Sequence, residues 1–533
     1  MRANLRLPPL HMPVSTYTQP LATLPEWQKY VDAIQRAPRT SQTVRIIEAG
    51  GLHLDLTGQV YSDEVANHIE KLLEVRQLNA RRAALIDGHP VNTTEERAAW
   101  HTQLRAPRPT AEVAQERKRA LEFVRRSDSE RRWRNIVHIG IGGSDWGVRL
   151  VVGAFGYAGM WRNIRFVANI DGHAVEGGLA GLDPRETLVV VASKSFKTAE
   201  TLENAKRAIE WMQAAGVHKP LNQVIAITAN PQAALSWGLQ ESQIFQFWDW
   251  VGGRFSIWSA VSVAAGLAVG SDVVAGLQSG AKAMDDHFLN APIKDNAPIQ
   301  LAMAGIANRS ILNYGSLNIS AYDSRLANLI PYIQQLEMES LGKSVDLNGE
   351  LITVPTGPAV WGMPGTDAQH TFFQWLHQGS DGAPVDFIAC QNEDHTWKEH
   401  HTQLLAHCLA QREALMTGKT YEQAIAECIN AGLSETKARE LAKHKIHPGG
   451  RPSNLIMMRS LTPFSLGALL ALYEHKVFVQ GLVWGLNPFD QWGVEYGKVL
   501  TKDITAELNG APTREPHDAS TQYWIDRIKS ESL

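Results

Sequence analysis

The run Thr187-Leu-Val-Val-Val-Ala-Ser193 constrains the fold more than any other stretch. It is β-branched and apolar on both faces, which suits a strand covered by helices on each side. Similar short runs flank it: IVHIGIGG at 136–143, IRFVAN at 164–169 and QVIAIT at 223–228. Helical stretches lie between them, and Leu202, Ala205, Ile209 and Met212 fall on one helical face. Strand alternating with helix predicts a doubly wound α/β domain. Further strands are expected at SLNISAY, 316–322, and PVDFIAC, 384–390, with a long helix from 464 closing a second α/β domain.

Residues 20–130 carry Arg, Glu, Ala and Leu at helical spacing, with Thr93 or Thr94 as an N-cap before an acidic first turn. The small-residue stretch AAGLAVGSD suggests a boundary near 270–290. A length of 533 residues fits two or three domains. The balance of 51 Lys+Arg against 55 Asp+Glu leaves no global basic field for nucleic acid or an anionic membrane, so an anion site must be local. Three dispersed cysteines, Cys390, Cys408 and Cys428, fit neither a disulfide framework nor a CxxC metal site, and point to a reducing, cytoplasmic setting. The proline-broken N-terminus, 1–13, lacks the apolar core of a secretory signal. The longest apolar stretch, Leu461 to Tyr473, is shorter than the 18 or so residues of a membrane span.

Six segments carry chemistry. Gly140-Ile-Gly-Gly-Ser-Asp-Trp-Gly147 follows a strand, where glycines let backbone amides approach an anion. It is neither a dinucleotide fingerprint, since Asp145 stands where a glycine is needed, nor a Walker loop, so no nucleotide cofactor is expected. A hydroxyl at Ser144, beside Gly143, suits a phosphomonoester. Ser193-Lys194-Ser195-Phe196-Lys197-Thr198 brings three hydroxyls and two ammonium groups to a helix start. Simple capping by Ser195 or Thr198 accounts for one hydroxyl, not three. Arg254, after Gly252-Gly253, offers a guanidinium for an oxyanion. Gln335 and Glu339 share a helix face if the helix lasts to Gly342. His370 and His377 are seven apart, as are Gln491 and Lys498. The acidic and histidine-rich group Glu393, Asp394, His395, Glu399, His400 and His401 has no metal-ligand spacing and reads as a solvated loop-to-helix segment. If these sites meet, a carboxylate, an imidazole and two kinds of cation surround a phosphorylated sugar, which suits proton transfer beside a carbonyl.

In order, GIGGSDWG, the SK-S-F-K-T-x-E-T run, GGRFSIWSA, QQLEMES-x-GK, GT-x-x-QH, LGALLALYEHKVFVQG and FDQWGVEYGK closely resemble the glucose-6-phosphate isomerase family, from about 85 to 500. The resemblance implies two doubly wound, mostly parallel sheets of the SIS type, flanked by helices. The expected limits are a helical N-terminal region, 1–105, packing on the large domain, a small domain, 106–275, a large domain, 276–500, and a C-terminal helical arm, 501–533. It implies metal-free interconversion of glucose 6-phosphate and fructose 6-phosphate, no cofactor and a homodimer. Glu339 would shuttle the proton. His370, contributed across the dimer interface, and Lys498 would assist ring opening, and Arg254 would steady the enediolate. Gly143, Ser144, Ser193, Lys194 through its backbone amide, Ser195 and Thr198 would hold phosphate. Gln335 and Gln491 would bind the sugar. Departures from the family's usual residues include Leu341 for Asn, two residues from the proposed base, Ser195 for Thr, and Lys197 for Thr. A non-catalytic sugar-phosphate sensor and a dual glucose/mannose phosphate isomerase are the competing readings.

Overall fold

The structure, a computed structural model, describes residues 19–39, 43–512 and 515–531; the 1–13 stretch read above lies outside the described residues. The chain forms two compact units, Met1–Pro488 and Phe489–Leu533. The first holds both sheets. Strands in chain order are β1 (Ile46–Ala49), β2 (Leu52–Gly58), β3 (Asn135–Ile139), β4 (Asn163–Val167), β5 (Thr187–Ala192) and β6 (Val224–Thr228). They continue with β7 (Ile244–Gln246), β8 (Ser316–Tyr322), β9 (Ala359–Pro364), β10 (Val385–Cys390) and β11 (Ser453–Met458).

The first sheet has order β4-β3-β5-β6-β7, and all its neighbours are parallel. Every residue of β3, β5 and β6 is buried, as expected of strands covered on both faces. Val137, Ile139, Val189 and Val191 form its core with Ala205 and Met212 of the Ala199–Ala214 helix, and Leu202 and Ile209 pack on the same cluster. This order is doubly wound, and its direction reverses between β3 and β5. Ligands of such sheets sit outside the carboxyl ends of the strands at that point.

The second sheet runs β1-β2-β11-β10-β8-β9. Its four central and edge strands β11, β10, β8 and β9 are parallel, while β2 joins antiparallel and carries β1 as a hairpin. The hairpin corrects the expectation of an all-helical N-terminal region. Residues 52–58 alternate buried and half-buried, a period of two that the surrounding Arg- and Glu-rich helices obscured. The expected N-cap at Thr93 or Thr94 also fails: residues 93–96 form a turn between bridged Asn92 and Arg97. Asn487 donates to both Asn92 Oδ1 and Thr94 Oγ1, so that hydroxyl is engaged away from any helix start.

The stretch expected as a boundary forms a buried helix, Val263–Val269, and a half-buried one, Ser271–Asn290, broken at Gly270 with φ +104°. Small residues here serve close packing. The Ser271–Asn290 helix lies along Pro463–Trp484. Among the described residues that last helix alone has the length and apolarity of a membrane span, but 94 % of its window is buried inside the protein, so it is a core helix. A Cβ on Gly280 would sit 1.8 Å from the Phe464 carbonyl oxygen, and one on Gly467 2.0 Å from that of Leu277. Backbone cannot retreat as a flexible side chain does. Gly467→Ala therefore lowers stability by about 1–3 kcal/mol, despite the better helix propensity of alanine, measured as a lower midpoint in urea.

Candidate active site

The reversal between β3 and β5 puts two turns side by side. After β3, Gly140 to Ser144 turn tightly, with Gly142 at φ +59°, before the Trp146–Phe155 helix begins. The His138 ring is bonded to the Ser144 carbonyl at 2.8 Å, fixing the turn to the strand beneath it. Asp145 of the same motif pairs with Arg149. After β5, Ser193 to Thr198 lead into the Ala199–Ala214 helix. Phe196 takes φ +51° and is buried against Trp237, which pins the loop.

Ser193 Oγ and Thr198 Oγ1 lie 3.1 Å apart. Thr198 occupies the N-cap position yet makes no side-chain bond to its helix, so capping does not account for its hydroxyl. Ser195 Oγ accepts from the Lys197 amide at 3.2 Å. These hydroxyls lie beside the first turn of the helix, whose amides lack intrahelical partners, an arrangement that can hold an oxyanion. The two ammonium groups do not both join it. Lys194 Nζ donates to the carbonyls of Asp249, 2.6 Å, and Val251, 2.9 Å. Burial, then repulsion from Arg97, pushes its amine down to about 8. Its side chain thus braces the loop against the segment leading to Arg254.

That segment ends in the 3-10 turn Gly253–Trp258. A Cβ on Gly143 would lie 2.1 Å from Gly253 C and O and 2.6 Å from Arg254 N, so the two glycine turns touch backbone to backbone. Ser256 Oγ donates to the Gly143 carbonyl at 3.1 Å. Arg254 is buried. Its Nε donates to Ser340 Oγ and its Nη2 to the Pro488 carbonyl, each at 2.7 Å, and Nη1 lies 3.5 Å from Glu339 Oε2.

The helix carrying Glu339 does last to Leu341. Leu329–Gln334 is α-helical and Gln335–Glu339 winds as a single π turn, a form common at functional sites. Gln335 Nε2 donates to Glu339 Oε2 at 3.0 Å, and a Cβ on Gly142 would come within 3.0 Å of that amide nitrogen. Lys343 Nζ caps the Glu339 carbonyl at 2.9 Å. The structure thus gathers Gly143, Ser144, Ser193, Lys194, Ser195, Thr198, Arg254, Gln335 and Glu339 around the β3 and β5 ends.

His370 is exposed on the 3-10 turn Asp367–His370 and makes none of the bonds above. Gln491 and Lys498 belong to the second unit, where Lys498 Nζ pairs with Glu495 at 2.7 Å. His377 is bonded to Gln411 at 2.8 Å. Among the described residues no group of three His, Cys, Asp or Glu is arranged to hold a metal; Asp394 pairs with Arg325 and His401 with the Gln391 carbonyl. Sequence reasoning missed Ser340, Ser256 and the carbonyls of Asp249, Val251 and Pro488. Backbone acceptors leave no trace in residue type, and Ser340 was visible only as a neighbour of Glu339.

The family model for phosphoglucose isomerase matches residues 55–525. The chain belongs to the phosphoglucose isomerase family. Glucose-6-phosphate isomerase of Bordetella petrii is 53 % identical over 514 residues, covering 95 % of this chain and 99 % of that one. Glucose-6-phosphate isomerase 1 of Thiobacillus denitrificans is 40 % identical over 543 residues, covering 96 % and 98 %. The crystal structure of a glucose-6-phosphate isomerase from Chlamydia trachomatis superposes with a TM-score of 0.83 at 28 % identity, covering 96 % and 100 %. Phosphoglucose isomerase membership thus agrees with the expected fold and family.

The depressed amine of Lys194 gives a stability test. The folded state releases the proton near pH 8 and the unfolded chain near 10.5, so between these values the unfolded state binds more protons. Stability of the wild type relative to Lys194→Met therefore rises with pH across that window, read from urea unfolding at a series of pH values.

Proposed function

We propose that this protein interconverts glucose 6-phosphate and fructose 6-phosphate through an enediolate. The observation that carries the reading is the carboxylate of Glu339 set 3.5 Å from the buried Arg254 guanidinium, in a turn that touches the glycine turn after β3. Phosphate binds in the Ser193, Ser195 and Thr198 cradle, with Ser144, Gly143 and the Lys194 amide beside it, and tethers the open-chain sugar. Glu339 takes the proton from C2 of the aldose, and the electron pair moves to form the C1–C2 double bond while charge develops on oxygen. Arg254 faces that oxyanion. A proton passes from the C2 hydroxyl to O1, Glu339 returns its proton to C1 as the C1–C2 double bond is consumed, and C2 becomes the carbonyl of the ketose. Gln335 and Gln491 hydrogen-bond the sugar hydroxyls.

Ring opening falls to His370 with Lys498. The exposure of His370, and its distance in bonding from the Glu339 group, support a homodimer in which each subunit lends His370 to its partner. We read the two sheets as the centres of domains 106–275 and 276–500, and three free, buried cysteines support a reducing, cytoplasmic setting.

Glu339→Gln is expected to lower kcat by about 10²–10⁴-fold while keeping affinity for a non-isomerisable hexitol phosphate, and to abolish solvent hydrogen exchange at C2. A Gln variant with wild-type turnover sinks the assignment. A pure sensor shows no turnover at all in the wild type, with chelator present. The shared site is tested by mixing two inactive variants, Glu339→Gln and His370→Ala, after reversible dissociation. Half of the sites in each mixed dimer regain both groups, so about a quarter of wild-type activity returns; no recovery places both groups in one subunit.

A further inference from the structure

We propose that the buried triplet Glu474-His475-Lys476 positions the Arg254–Glu339 pair, an inference that rests on the roles just given to those two residues. The triplet lies inside the apolar Pro463–Trp484 helix, and all three side chains are buried. Buried charges are costly there unless paired, and each of these is paired. Lys476 Nζ binds Glu337 Oε1, in the π turn two residues before Glu339. Glu474 Oε1 accepts from the Trp258 indole at 2.7 Å, in the 3-10 turn four residues after Arg254. The other oxygen of Glu474 accepts from Arg105, whose remaining nitrogens grip Asp285 at 2.8 and 2.6 Å, and Asp285 also meets His475 at 2.7 Å.

One rigid helix therefore holds the base-bearing turn through Lys476 and the guanidinium-bearing turn through Glu474. His101 adds a second hold on the same turn, stacking on Phe255 at 4.5 Å. None of these groups touches the hydroxyl cradle. Loosening them should change the geometry of proton transfer and leave phosphate binding as it is.

Two variants test this. Trp258→Phe keeps an aromatic ring beside the Arg105 guanidinium, 4.7 Å from the indole centroid, and deletes only the N–H. The double variant Glu337→Gln/Lys476→Met removes the second ion pair without orphaning a charge. Each is expected to lower kcat by about ten- to a hundredfold, because small displacements of reacting groups are that costly. KM, and affinity for a hexitol phosphate, should stay within about twofold. A folded Trp258→Phe enzyme with wild-type kcat overturns the proposal, as does a loss confined to KM. Glu339→Gln measured alongside separates the two readings. If it stays active, the base assignment is wrong; if it is dead while Trp258→Phe is fully active, only the positioning role is lost.

Discussion

Two glycine pairs in van der Waals contact set the geometry of everything else. Gly142-Gly143 ends the turn after β3, and Gly252-Gly253 precedes Arg254. A Cβ on Gly143 would overlap the Gly253 carbonyl, 2.1 Å away. Any side chain there would push the guanidinium turn off the end of the parallel sheet. The other contacts depend on that approach: Gln335 reaches across Gly142, Ser256 bonds the Gly143 carbonyl, and Lys194 ties the second strand-end loop to carbonyls 249 and 251. The role of these glycines is mutual proximity more than flexibility, since Gly143 itself has no positive φ.

Burial then decides how the charged pair works. The Arg254 side chain is 1 % exposed and that of Glu339 22 %. The guanidinium is fixed by Ser340 and the Pro488 carbonyl, so its position is set by the protein itself. In such a low-dielectric site an oriented cation stabilises developing charge far more than it would in water, and it need not reorganise as the reaction proceeds. The Glu339 carboxylate is partly exposed. One group is held, the other reachable, which is the division that the proposed proton transfer beside a carbonyl requires.

Much of this was legible in residue order. Short runs rich in β-branched and apolar residues marked β3, β4, β5, β6, β8 and β10, and the positions Leu202, Ala205, Ile209 and Met212 gave the helix face that packs on the first sheet. Other strands were not legible for physical reasons. β7 has three residues, too few for a period, and the hairpin β1-β2 lies in a stretch whose charges imitate a helix. The three hydroxyls stood out because capping a helix start needs only one; in the structure Ser195 Oγ accepts from the Lys197 amide, and Ser193 and Thr198 bond each other. The Lys194 ammonium, counted with the cluster by its charge, turns instead to main-chain oxygens, because charge alone does not reveal direction. Glu474, His475 and Lys476 looked like the end of an apolar segment; only their partners, between 105 and 337 in the chain, explain why the helix continues through them.

Leu341 shows how a departure near the proposed base can be a matter of packing. It stands where the family usually carries Asn, two residues after Glu339. Its side chain is 0 % exposed, and its carbonyl lies against Gly357, where a Cβ would come within 2.5 Å. The position is therefore a core position at the last turn of the helix. Burying leucine there is worth about 1.5–3 kcal/mol relative to leaving it in water, whereas a buried amide would need its own hydrogen-bond partners. The carboxylate next door has its neighbours from other places: the Gln335 amide at 3.0 Å and the Arg254 guanidinium at 3.5 Å, with Lys343 holding the backbone carbonyl of Glu339 itself. Since none of these contacts passes through residue 341, exchanging amide for leucine trades polar partners for apolar burial and leaves the groups facing Glu339 in place.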